Sequence, residues 1–118
     1  MERIEPHEKL PRFGPIELDL ESKSVRLTGT NKSESLSQFE YQILWILVRA
    51  KGGFVPRSDI ESFIYSDIAD DKDLPLGNSF DVKLHSLRRK LHNISDGKII
   101  IGNIIRGGYA IAERRRGV

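Results

Sequence analysis

Asn78 to Asn93, NSFDVKLHSLRRKLHN, is the stretch on which the fold turns. Phe80, Leu84, Leu87 and Leu91 recur at i, i+4, i+7 and i+11. At about 100° per residue they fall in one narrow stripe, so the spacing predicts a helix that buries this side in a core. The opposite side carries Asn78, Val82, His85, Ser86, Arg89 and Asn93, with Lys83, Arg88 and Lys90 on its flanks. A helix anchored by four large apolar residues, with hydrogen-bonding and cationic groups turned outward, has the chemistry to lie in a DNA major groove.

The charge distribution points the same way. The net charge of the 118 residues is only +2. Residues 1–77 hold 10 Lys+Arg against 14 Asp+Glu, a net −4, whereas residues 78–118 hold 9 against 3, a net +6. A module that meets a polyanion with one face carries its cations in this one-sided way. Basic C-terminal segments are also common as solvated surface, so the asymmetry alone does not decide.

Length and composition bound the rest. The chain is long enough for one domain with a core and too short for two ordinary ones. Its longest apolar run, Ile43 to Val48, is six residues, far short of the ~20 a membrane helix needs. The start, MERIEPHEKLP, has no apolar signal-peptide core, so a cytoplasmic protein is expected. The absence of cysteine excludes disulfides and thiolate metal sites.

Outward from the central helix, the expected organisation is a linker or arm over 1–15, a folded domain over 16–112 and a basic tail over 113–118. Pro6, Pro11 and Pro15 punctuate the arm. Ile16 to Leu20 alternates apolar and acidic residues, as a half-buried strand does. Val25 to Leu27 reads as a second strand, and a short third one ends near Leu36. Ser37-Gln38-Phe39-Glu40 matches a capping box that opens a helix, and this helix runs to about Ala50, where Gly52-Gly53 stop it. Its apolar residues lie nearly all round, so it is expected between the front strands and the later helices. Phe54 to Pro56 reads as an extended link, and Arg57 to Tyr65 as a short second helix. Ser66 to Gly77 is an acidic loop. After the central helix, a strand from Lys98 to Ile105, a turn at Arg106-Gly107-Gly108 and a return strand from Tyr109 to Ala112 make a β-hairpin. The class is α+β: an N-terminal antiparallel sheet, three helices and a C-terminal hairpin.

Four segments carry a family likeness. They are Leu36-Ser37…Glu40…Ile43-Leu44; Gly52…Val55-Pro56-Arg57…Ile60; Phe80-Asp81-Val82-Lys83-Leu84-His85-Ser86-Leu87-Arg88-Arg89-Lys90-Leu91; and Gly108-Tyr109. In this order and spacing, from about Phe13 to Ala112, the chain resembles the winged helix-turn-helix DNA-binding domain of bacterial OmpR/PhoB-type response regulators. The resemblance implies a four-stranded first sheet, a third helix (78–93) that reads the major groove, and a hairpin wing (98–112) on the backbone or minor groove. It also implies that the loop before the third helix contacts RNA polymerase, and that copies bind head to tail on direct repeats. The 118 residues leave no room for the family's receiver domain, so the chain is expected to be either a stand-alone regulator or an excised C-terminal half. Ser86 stands where the family often has Arg, and the wing-turn Arg, Arg106, is shifted by one.

The candidate DNA contacts follow from both arguments. Arg89 points opposite the leucine stripe and suits a two-bond grip on guanine. His85 and Ser86 face outward as further base readers, and Val82 suits contact with a thymine methyl group. Lys83 and Lys90 are expected to neutralise phosphates. Arg88 lies near the apolar stripe, where a DNA contact competes with a structural ion pair. Asn78 and Ser79 either cap the helix or hold a phosphate at its positive end. By resemblance, Arg57 and Tyr65 approach phosphates. Arg106 at the hairpin tip suits a phosphate or a narrow minor groove, and Arg114-Arg115-Arg116 adds non-specific attraction. In the acidic loop, Asp67, Asp70, Asp71 and Asp73 lack the spacing of a calcium loop and better fit a basic surface on a protein partner.

These readings favour a sequence-specific double-stranded DNA-binding transcription regulator with no cofactor. The competing reading is a winged-helix interaction module that contacts RNA polymerase or another regulator without reading DNA sequence. No arrangement of catalytic carboxylates, nucleophile and base, or phosphate-cradling glycines marks an enzyme.

Overall fold

The computed structural model describes residues 11–67, 78–104 and 107–114. The chain forms strands β1 (Arg12–Phe13), β2 (Ile16–Asp19), β3 (Ser24–Leu27) and β4 (Ser33–Ser35), then helix α1 (Gln38–Arg49) and strand β5 (Val55–Pro56). Helices α2 (Arg57–Asp67) and α3 (Asn78–Ser95) and strands β6 (Ile99–Ile104) and β7 (Gly108–Glu113) complete it. The α+β order of strands, three helices and a final hairpin is the one expected.

The first sheet is antiparallel in the order β1-β2-β3-β4. Its inner face follows from the alternation in β2: Ile16 and Leu18 are buried, while Glu17 and Asp19 stay partly in solvent. Leu18 stands opposite Val25, and Glu17 opposite Arg26, so apolar and ionic cross-strand pairs support one register. Arg26 reaches Glu17 at 3.1 Å. β1 falls within the stretch read as an arm, because its two residues are too few to show alternation between the prolines.

α1 starts as its sequence requires. Ser37 Oγ accepts the Glu40 amide at 3.2 Å, and Glu40 Oε1 accepts the Ser37 amide at 2.8 Å, the reciprocal capping box. The helix buries Phe39, Glu40, Gln42, Ile43, Leu44, Leu47 and Val48. Its far end departs from expectation. The left-handed turn begins at Lys51, φ 54°, and continues through Gly52 at φ 89°, so the reversal starts one residue before the glycine pair.

The second sheet has the order β5-β7-β6. Val55-Pro56, read as a link, is a strand, paired through Val55 to Tyr109 and Pro56 to Gly108. A methyl carbon at Gly108 would sit 2.5 Å from the Val55 carbonyl oxygen. Only glycine allows the two strands this approach.

α3 is two residues longer than read, because Ile94 is buried and extends the seam of Phe80, Leu84, Leu87 and Leu91. Asp96 at φ 58° and Gly97 at φ 80° then reverse the chain. Ser95 binds this corner: its hydroxyl donates to the Leu91 carbonyl at 2.6 Å and accepts the Ile99 amide at 2.9 Å. The seam packs with Ile43, Leu44 and Leu47 of α1, Ile60 and Ile64 of α2, and Ile99, Ile101, Tyr109 and Ile111 of the hairpin in one core. Among the described residues, no helix is long and apolar enough to cross a membrane.

Leu87 is fully buried at the centre of this seam. Leu87→Ala is expected to cost about 2–5 kcal/mol of unfolding free energy, measured by urea denaturation. A smaller loss would mean that α3 is not held by its seam.

Candidate nucleic-acid interface

α3 has four longitudinal faces. The seam is buried. Opposite it, Val82, His85, Arg89 and Asn93 are all exposed, spaced i, i+3, i+7 and i+11, so they stand in one ridge. Val82 is 63% exposed, which the seam argument anticipates for a residue nearly opposite Phe80. His85 and Arg89 are neither inside the fold nor covered by another described segment.

The first flank meets the hairpin. Arg88 Nε donates to the Ile101 carbonyl at 2.9 Å, and its terminal nitrogen donates to Asn103 Oδ1. The guanidinium lies 5.9 Å from the Tyr109 ring centre. Arg88 is half-buried and holds the hairpin through neutral acceptors rather than through the ion pair weighed for it. Its partners are a neutral carbonyl and an amide, so these bonds dock the hairpin and leave the positive charge in place.

The other flank meets the first sheet and α1. Lys90 Nζ donates to Glu40 Oε1 at 2.7 Å and to the Ser35 carbonyl at 2.8 Å. The Ser86 hydroxyl also hydrogen-bonds Glu40. Ser86, expected to face outward, is half-buried, and Lys90, expected at a phosphate, already has an ion-pair partner; the two lie one turn apart on the side that α1 covers. Lys83, on the same flank but nearer the N-terminus, is half-buried and has no ion-pair partner among the described residues.

Glu40 is the hub of this flank and is only 3% exposed. Burial pushes its carboxyl upward. Hydrogen bonds from Lys90, Ser86 and the Ser37 amide, with the Lys90 charge, outweigh that and hold it below the ordinary glutamate value.

Arg57 pins the N-terminal end of α3. Its Nε donates to Glu61 Oε2 at 3.0 Å, its terminal nitrogen stands 3.3 Å from Asp81 Oδ1, and the guanidinium lies 4.4 Å from the centre of the Phe80 ring. Its amide donates to the Gly107 carbonyl at 2.9 Å. Burial opposes the charge, but Glu61 and Asp81 raise the guanidinium above its already high value. One residue thus ties the start of α2, the first turn of α3 and the hairpin turn together, a role its expected phosphate contact did not suggest.

Of the remaining candidates, Tyr65 and Asp67 belong to α2, and Asn78 and Ser79 open α3; their side chains lie outside the description. Asp70, Asp71, Asp73 and Arg106 lie outside the described residues. Sequence reasoning missed Glu40 as a partner of α3 and Asn103 as the acceptor for Arg88. The capping box had already given Glu40 a local task, which hid the long-range one.

Residues 31–111 match the family described as transcriptional regulatory protein, C terminal. The transcriptional regulatory protein HprR of Escherichia coli strain K12 is 35% identical over 100 residues, 84% of this chain but 42% of that protein, so the chain spans less than half of the relative's length. Among solved structures, the DNA-binding domain of response regulator AdeR, in complex with an intercistronic region, superimposes with a TM-score of 0.68 at 18% identity, covering 87% of this chain and 99% of that one. The C-terminal domain of the nisin resistance regulator NsrR gives 0.66 at 20% identity, covering 89% and 99%. The Klebsiella pneumoniae RstA DNA-binding domain, in complex with the RstA box, gives 0.62 at 24% identity, covering 88% and 97%. At these identities the three structures speak for the fold.

The depressed Glu40 carboxyl makes a pH prediction. A carboxylate whose folded value lies below its unfolded one stabilises the fold above the unfolded value, here about 4.5, and that contribution is lost as pH falls through the folded value. Thermal unfolding of the wild type is expected to fall more steeply with acid below about pH 4.5 than that of Glu40→Gln. Parallel pH profiles would show that Glu40 is not ionised in the fold.

Proposed function

Because the chain belongs to the family of transcriptional regulatory protein C-terminal domains, we propose that it is a transcription regulator that binds double-stranded DNA sequence-specifically. α3 enters the major groove and the β6–β7 hairpin lies on the backbone or minor groove. The observation that carries this reading is the exposed ridge of Val82, His85, Arg89 and Asn93, held between two flanks that Arg88 and Lys90 bond to the rest of the fold.

The ridge supplies three kinds of contact. Arg89 offers two parallel donors to guanine O6 and N7. Val82 offers an apolar surface to a thymine methyl, and His85 a donor or acceptor to a base edge or phosphate. Lys83, Asn78, Ser79, Tyr65 and Arg106 are assigned to the phosphates on either side of the groove, which set register without reading sequence. Arg57, Arg88, Ser86 and Lys90, all half-buried, support the interface through their bonds to the rest of the fold. The acidic segment Ser66 to Gly77 is assigned to a basic protein surface, RNA polymerase by family likeness, and the protein acts in the cytoplasm. Head-to-tail pairs on direct repeats complete the proposal.

Selection of bound duplexes from a random pool identifies the site. On that site affinity is expected to fall linearly with the logarithm of salt concentration, as counterion release requires; an affinity flat from low to moderate salt would sink the reading. Arg89→Ala is expected to weaken the selected site by roughly 1–3 kcal/mol with an unchanged melting temperature. A large drop in melting temperature would instead make Arg89 a structural residue.

A further inference from the structure

Arg88, Arg89 and Lys90 are consecutive cations with three destinations: the hairpin, solvent, and the junction of the first sheet with α1. Neighbours on a helix are about 100° apart, so the direction of Arg89 is set by whatever holds the residues beside it. The apolar seam alone does not set it finely. Hydrophobic attraction is non-directional, and leucines facing leucines tolerate a small roll that a hydrogen bond does not.

The Lys90 attachment has the geometry of a lock. Lys90 Nζ has two fixed acceptors, Glu40 Oε1 at 2.7 Å and the Ser35 carbonyl at 2.8 Å. Glu40 is buried, and the same oxygen accepts the Ser37 amide that caps α1. Ser86, one turn before Lys90, bonds Glu40 as well. α3 is thereby held in roll by two of its residues and in axial position by a carboxylate that belongs to the rigid start of α1. A pair of this kind is a weak source of net stability, since desolvation offsets much of the attraction, and its best-attested use is to fix registry.

We propose that Glu40 and Lys90 are positioning residues for DNA reading, locking the roll of α3 so that Arg89 and His85 meet base edges in register. The proposal rests on the DNA-binding reading above and makes a different claim from it: Lys90, a cation in the reading helix, contributes to sequence discrimination without touching DNA.

The test compares wild type, Lys90→Arg, Lys90→Met and the double variant Lys90→Met/Glu40→Gln. Methionine keeps the apolar stem. In the double variant no carboxylate is left buried without a partner, and the glutamine oxygen still serves the Ser37 amide, so a folded form is available even if the single variant unfolds. Melting temperature, affinity for the selected duplex, affinity for an unrelated duplex of equal length, and the salt slope of each are measured. Folded variants without the lock are expected to lose about tenfold in the ratio of specific to unrelated affinity, with an unchanged salt slope, while Lys90→Arg keeps the ratio. A slope reduced by about one with the ratio intact would make Lys90 a phosphate contact and overturn the proposal. An unchanged ratio and slope in a folded variant would reduce the pair to a purely structural role and overturn it equally. A wild type that discriminates no duplex would overturn the DNA reading itself, and the lock with it.

Discussion

Burial of the α3 seam is the constraint on which the rest of the molecule depends. Phe80, Leu84, Leu87, Leu91 and Ile94 are removed from water together, and each large side chain so buried is worth about 1.5–3 kcal/mol. No other arrangement of an 18-residue helix hides all five at once. Once they are hidden, Val82, His85, Arg89 and Asn93 have to point away, because helical geometry links the two sides rigidly. The core and the outward ridge are therefore one decision made by the sequence spacing. The hairpin and α1 then close around the seam from two sides.

What the seam leaves open, the polar flanks decide. Arg88 gives up hydration for a carbonyl and an amide on β6, and Lys90 for a buried carboxylate and a carbonyl. Arg57 makes a third attachment through Glu61, Asp81 and the face of Phe80. These contacts are directional and charge-assisted, so they are stronger and narrower in geometry than neutral hydrogen bonds. They also alter the meaning of the charge distribution. Residues 78–118 are basic in composition; the Lys90 charge is balanced by Glu40, whereas Arg88, bonded to a neutral carbonyl and an amide, keeps its full charge beside β6.

Much of this was legible in the sequence, and the exceptions share a cause. Periodicity located α3 and its seam, the Ser37–Glu40 capping box located the start of α1, and glycines located the hairpin. Each of these signals is local. β1 and β5 were missed because two-residue strands carry no pattern; only their partners, Ile16 and Tyr109 among them, make them strands. The bonds of Ser86 and Lys90 to Glu40 were not legible because a helical wheel gives direction only relative to the helix's own seam. It does not say which neighbour stands beside a flank, and here α1 and β4 stand there. A lysine next to a candidate DNA-reading arginine gave no signal that its partner was a glutamate fifty residues earlier.

The ridge and the flanks separate two demands that usually conflict on one helix. Seam and flank residues hold the bonds that keep α3 in place. The side chains of Val82, His85 and Asn93 are exposed and make no hydrogen bond or ion pair among the described residues. Substitution along the ridge therefore changes what the helix presents with little cost to the core, since exposed positions outside special features shift stability only within about ±0.5 kcal/mol. Arg89 is the place where the separation is thinnest. It is as exposed as its ridge neighbours, yet its two chain neighbours carry the attachments to the wing and to the first sheet. A change that disturbs the backbone there also strains the bonds of Arg88 and Lys90, so what the ridge presents and how α3 is attached are coupled at this one turn.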